Sequence, residues 1–292
     1  MTLAELLVAA VVGGVVSTAA VVTAVRVRRA SAVESERALA RAQLAQAAAV
    51  LSMELRGVAP GAGAGDGGDL AEASDSAVDV RAVVGGSVAC AVGTAGGGSS
   101  VDLAAGTMGV GWWSAPPRAG DVALVHDPGA LPGASDDAWH ERAVTGATSG
   151  AGVCAAGAFA AFGAGDETRW RLVLAGPALP PTVVVGAPVR VVRRRRYTLY
   201  RAGDGRWYVG MREWDGTTPS GVQPLAGPFD ALGDGGMRVV ARDAGGAVLA
   251  PGSPGAAAEV EVRLVATRRW LGAAWRDSVR VLVRPAGGGG AP

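Results

Sequence analysis

The stretch Met1-Thr2-Leu3-Ala4-Glu5-Leu6-Leu7-Val8 opens a run in which residues 6–25 carry no charge. The run is mostly Val, Ala and Leu, with Gly13, Gly14, Ser17, Thr18 and Thr23 among them. Twenty residues at ~1.5 Å each match the ~30 Å hydrocarbon core of a bilayer. Arg26, Arg28 and Arg29 then mark a return to water. A cleaved signal peptide would place positive charge ahead of its apolar run, whereas the early charge here is Glu5. A core helix is rarely this long without polar interruption. An ordinary anchor fits, and the positive-inside rule applied to Arg26, Arg28 and Arg29 would then keep the following domain in the cytoplasm. The anchor leaves Glu5 unexplained, because an ionisable residue at the edge of an apolar helix needs a partner.

Working outward, residues 30–56 contain no Gly or Pro and are rich in Ala, Leu, Glu, Arg and Gln, all good helix formers. Leu44, Ala48, Leu51 and Leu55 fall on one apolar stripe, and Glu34 and Arg37 lie one turn apart on the wet side. Residues 1–56 are therefore expected to form one helix of about 85 Å, half in lipid and half on a globular head. Its parts are a membrane segment at 1–25 and an amphipathic continuation at 26–57. A Gly-rich linker follows at 58–69, and a Gly-rich, loose tail closes the chain at 286–292.

Between linker and tail, residues 70–285 read as a β-rich head. Val78, Val80 and Ala82 alternate with Asp79 and Arg81. Strands are expected around Val122 and Leu124, at 169–174, at 189–201 and 206–212 about a turn at 202–205, and at 237–242 and 247–249 about a turn at 243–246. Further strands are expected at 260–266 and 279–283. The fold class is α+β: a long helical spine with a mostly antiparallel β-sheet head.

Composition narrows the function. Hydrophobic residues make up 49% of the 292 residues and charged ones 18%, which excludes a disordered chain. A net charge of +1 offers no global field for nucleic acid. Lys, Ile and Asn are absent, a bias of GC-rich coding that inflates the 46 Gly and weakens any phosphate-loop reading of Gly-rich stretches. Two His and two Cys leave little room for structural zinc.

The segment Met-Thr-Leu-Ala-Glu-Leu-Leu-Val resembles the mature N-terminus of type IV pilins and pseudopilins, whose pattern is apolar-Thr-Leu-x-Glu-Leu before some twenty apolar residues. Elements in Leu51-Ser52-Met53-Glu54-Leu55-Arg56, in 75–81, and in 188–200 followed by Trp207-Tyr208 resemble the layout of large minor pilins and of the larger minor pseudopilins of type II secretion. The resemblance implies a basic leader ending in Gly, removed by a prepilin peptidase that methylates the new amine, which is that of Met1 if Met1 is the mature residue. It implies a single-pass inner-membrane protein with its head in the periplasm or outside the cell. The implied partners are the lipid bilayer, an inner-membrane assembly platform and other subunits of the same filament, with Glu5 meeting a neighbour's Met1 amine. No enzyme activity and no nucleic-acid partner are expected. The competing reading is a signal-anchored exported β-domain for ligand binding or sensing, and a third is a DNA-uptake pilus tip.

In an exported head, Cys90 and Cys154 would fold where disulfides persist. Either they form a bridge or they are two buried free thiols. Asp136, Asp137, His140 and Glu141 form an acidic cluster; Asp136, Asp137 and Glu141 are weak candidates for calcium, against a solvated loop. Arg193, Arg194, Arg195 and Arg196 would contact phosphates, or would alternate between strand faces, solvated or paired with acids. Trp112 and Trp113 read as core packing or as a sticky tip. Neither His has a nucleophile partner, so no catalytic residue and no cofactor are assigned.

Overall fold

The computed structural model describes residues 2–56, 69–95, 97–104, 111–131, 133, 135–150, 152–154, 169–250, 257–270 and 273–283. Met1, residues 58–68 of the expected linker and the expected tail at 286–292 lie outside them.

The helix α1 (Leu3–Arg56) is continuous over 54 residues. Its apolar N-terminal half buries nothing against the rest of the molecule. Its C-terminal half buries Ala40, Leu44, Ala47, Leu51 and Leu55. The expected stripe is one position off at its centre: Ala47 is buried and Ala48 half-buried. Glu34 and Arg37 form the expected pair at 2.9 Å.

Among the described residues thirteen strands follow, and every pairing among them is antiparallel. The first eight are β1 (Leu70–Ser74), β2 (Ala77–Ala95), β3 (Gly98–Leu103), β4 (Trp112–Trp113), β5 (Val122–Asp127), β6 (Ala138–Ser149), β7 (Trp170–Leu174) and β8 (Pro188–Arg201). The last five are β9 (Trp207–Glu213), β10 (Gln223–Phe229), β11 (Met237–Arg242), β12 (Glu259–Trp270) and β13 (Ala273–Val283). β2 and β8 organise the head. β2 pairs with β8 along one edge and with β3 near its end, and β3–β7–β6–β5–β8 completes the circuit. Six strands thus close into a barrel lined by Val84, Val101, Leu103, Val125, Leu172 and Val191, and closure removes the edges those strands would otherwise expose. Beyond Val192, β8 leaves β5 and pairs with β9 from Arg195 onward.

The second core lies where this extension, with β1, β2, β9 and β10, meets α1 and the separate sheet β11-β12-β13. Leu44, Leu51 and Leu55 of α1 cluster there with Val78, Tyr197 and Val262. Several expectations need correction. Residues 247–249 form no strand, only a bridge from Val248 to Arg242, so the long C-terminal hairpin is β12–β13 instead. β1, β3, β4, β6 and β10 are additional, and β6 takes His140 and Glu141 out of the expected loop. Asp69, placed by the sequence in the linker, is buried, and its carbonyl accepts the Arg81 amide.

Candidate functional site

The start of α1 is closed by a reciprocal pair of hydrogen bonds. The Thr2 amide donates to the Glu5 carboxylate at 2.8 Å, and the Glu5 amide donates to Thr2 Oγ1 at 3.3 Å. This is a capping box, which satisfies two amides left over at the helix start. The signal Thr-x-x-Glu stood in the sequence, and reasoning from membrane cost alone passed over it. Further along, the Thr18 and Thr23 hydroxyls donate to the carbonyls of Gly14 and Ala19. The helix therefore satisfies these polar groups internally, as a lipid environment requires. By length and composition it is the one described helix able to cross a membrane.

At the other end, α1 is tied to the head through the Arg run. Glu54 accepts from Arg195 at 2.7 Å, and Arg195 also reaches Glu213 at 2.9 Å. Arg193, 4% exposed, donates from Nε and Nη2 to the fully buried Asp121 carboxylate and from Nη2 to the Pro116 carbonyl. It fills the point where β5 and β9 part along β8. Arg194 and Arg196 lie on the opposite face beside Asp79, and Arg194 also covers the Trp214 ring at 4.5 Å. All four arginines thus have acidic partners on the alternating faces. Burial pushes the Tyr197 hydroxyl well above its ordinary range, and the neighbouring Glu54 carboxylate adds to the shift. Sequence reasoning missed Asp79, Asp121 and Glu213 as partners because they are brought close by strand pairing.

Cys90 and Cys154 are bridged, with Cα atoms 5.6 Å apart. The bridge sits with Val153 in a small buried cluster at the end of the barrel. Arg169 donates to the Val153 carbonyl at 3.2 Å and holds the short segment carrying Cys154.

The acidic cluster is dispersed. Asp136 accepts from the Ala130 and Leu131 amides, which hold its carboxyl below the usual range. Asp137 faces His126 at 3.5 Å, and Glu141 pairs with Arg81 at 2.7 Å. His140 bonds to Asp127, which also accepts from Thr182. Burial works to raise the Asp127 carboxyl, but its bonds from His140, Gly129 and Thr182 hold it below the usual range. These residues therefore act as loop and strand ties, and no group of three or more His, Cys, Asp or Glu suited to a metal occurs among the described residues. Trp113 meets Trp170 edge-on in space left by Gly85, where a Cβ would lie 2.2 Å from the Trp113 ring. Trp112 stays exposed.

One open cleft of about 830 Å³ lies beside the middle of α1, lined by Glu36, Leu39 and Gln43 together with Trp207, Phe229 and Arg276. The architecture is thus an apolar helix able to span a bilayer, continued as the packed spine of a β-rich head. No family model, curated protein or solved structure matches the chain.

Proposed function

We propose that the protein is a non-enzymatic structural subunit of a type IV pilus or type II secretion pseudopilus, inserted in the inner membrane and later drawn into a helical filament. One observation carries this reading: Glu5 stands in the first turn of a helix whose next twenty residues are uncharged, within the pattern Thr-Leu-x-Glu-Leu. The capping box supports the helix start, but it leaves a full negative charge beside apolar surface. A neighbour's N-terminal amine at Met1 would neutralise that charge near a helix N-terminus, where negative charge is already favoured. Its length of 292 residues suits a minor rather than a major subunit. Its partners are then other subunits, a prepilin peptidase and an inner-membrane assembly platform, in a lipid bilayer.

Glu5→Gln tests the charge without breaking the cap, because Gln also serves at that position of a capping box. The variant is expected to insert and fold as wild type while its recovery in sheared filaments falls sharply. Thr2→Ala, which weakens the cap by ~1 kcal/mol and keeps the charge, is expected to incorporate nearly as wild type. Equal incorporation of wild type and Glu5→Gln, relative to their membrane levels, would remove the proposal.

A further inference from the structure

We infer that Arg29, Glu34, Glu36 and Arg41 form a charge ladder that sets the axial stagger between the α1 helices of two copies of this chain. The inference rests on the filament reading above and adds the register to it. Arg29 and Glu36 are seven residues apart, two turns, and so lie within about 20° of one another around the helix. Glu34 and Arg41 have the same spacing with the signs reversed. The two pairs occupy faces about 140° apart. A helix can therefore offer one face to the neighbour on one side and the other face to the next, as an open helical array requires.

Sliding one helix by five residues, about 7.5 Å, brings Arg29 opposite Glu34 and Glu36 opposite Arg41 at once. Other slips are penalised. A shift of twelve residues opposes Arg29 to Arg41, and a shift of two in the other sense opposes Glu36 to Glu34. Arg26 and Arg28 have Ser31 and Val33 five residues on, so the pattern selects Arg29. Separately, a contact from the Met1 amine to Glu5 needs a shift of four residues, about 6 Å, which side-chain reach reconciles with five. Glu5, Glu34 and Arg41 also lie within about 20° of one face.

Arg29, Glu34 and Arg41 are exposed in the single chain, and Glu36 is half-buried. Arg29 and Glu36 have no ion-pair partner among the described residues, and Arg29 is exposed. The side chains of Glu34 and Arg41 are each 68% exposed and, among the described residues, pair with Arg37 and with Asp277 at 3.6 Å respectively. Glu36 lines the open cleft beside α1. Exposed pairs are individually weak, so the ladder selects register while the apolar helices supply the attraction.

Full-length chains carrying Arg29→Cys and Glu34→Cys are co-expressed, and likewise Glu36→Cys with Arg41→Cys; the native thiols are already bridged to each other. Oxidation of membranes and sheared filaments is expected to give mixed dimers for both pairs. The yield should be much lower when Arg29→Cys meets Ala30→Cys or Ala38→Cys, one turn either side of Glu34. Arg29→Glu or Glu34→Arg alone should lower filament incorporation by about fivefold, and the two together should restore it. Dimers that form best at Ala30 or Ala38, or a double swap that fails to restore, would overturn the ladder while leaving the filament reading intact. Absence of any dimer, with no chain in filaments, would remove both.

Discussion

Arg193 shows how a single side chain holds a junction together. At the point where β5 and β9 separate along β8, backbone groups and carboxylates converge away from solvent. The Asp121 side chain is 0% exposed and the Arg193 side chain 4%. A charge so placed needs its partner, since breaking one side of a buried pair costs about 3–5 kcal/mol. Arg193→Met is therefore expected to destabilise the folded chain by roughly that amount, because the Asp121 carboxylate keeps the Arg118 amide but loses its cation. Arg193→Met combined with Asp121→Leu should recover most of the loss, because an apolar pair of similar volume avoids the desolvation penalty. Urea unfolding of the detergent-solubilised protein, followed by Trp fluorescence, measures both. A double variant no more stable than the single one would show that Arg193 acts through Pro116 and Glu213 instead. Arg194, whose side chain is nearly half exposed, should matter far less to stability.

Among the elements, legibility follows the range of the interactions. The helix α1 could be read directly, because absence of Gly and Pro, an apolar run and a stripe are all local signals. The hairpin β8–β9 could be read for the same reason, since its turn lies between Arg201 and Arg206. The barrel could not. Its closing seam pairs Val83 with Val192 and Val88 with Pro188, some hundred positions apart. β3 and β6 carry Gly, Ser and Ala where clear alternation would be expected. The Arg run was readable as alternating and paired, but the identities of Asp121, Asp79 and Glu213 follow from register alone. The same holds for Cys90 and Cys154, whose proximity depends on barrel closure. Their bridge spans a separation of 64 positions, so in the chain-entropy model it is worth roughly 4 kcal/mol. Cys90→Ser/Cys154→Ser is expected to fold with a clearly lower Tm, and non-reducing mass spectrometry of envelope protein should find both thiols inaccessible to alkylation. Two alkylatable thiols in the folded protein would exclude the bridge in the cell.

Taken as a whole molecule, the chain sets two orientation signals against each other. Arg26, Arg28 and Arg29 follow the apolar segment at once, and the positive-inside rule alone would keep the head in the cytoplasm. The Cys90–Cys154 bridge points the other way, since disulfides persist in oxidising compartments and are rare in the cytosol. Charge bias is also read against whatever lies at the other end of the segment, and a basic leader of the kind the resemblance implies would hold the N-terminus inside despite the arginines. The helix continues unbroken from the apolar segment into the head core, so the head follows that segment on one continuous spine. Under the proposed filament reading the head is therefore expected outside the inner membrane. Protease added to intact spheroplasts should digest it and leave a membrane-embedded fragment containing residues 6–25. Inverted vesicles should protect it until detergent is added. Protection in spheroplasts with digestion only in inverted vesicles would place the head in the cytoplasm, and would overturn both the exported topology and the proposed filament subunit.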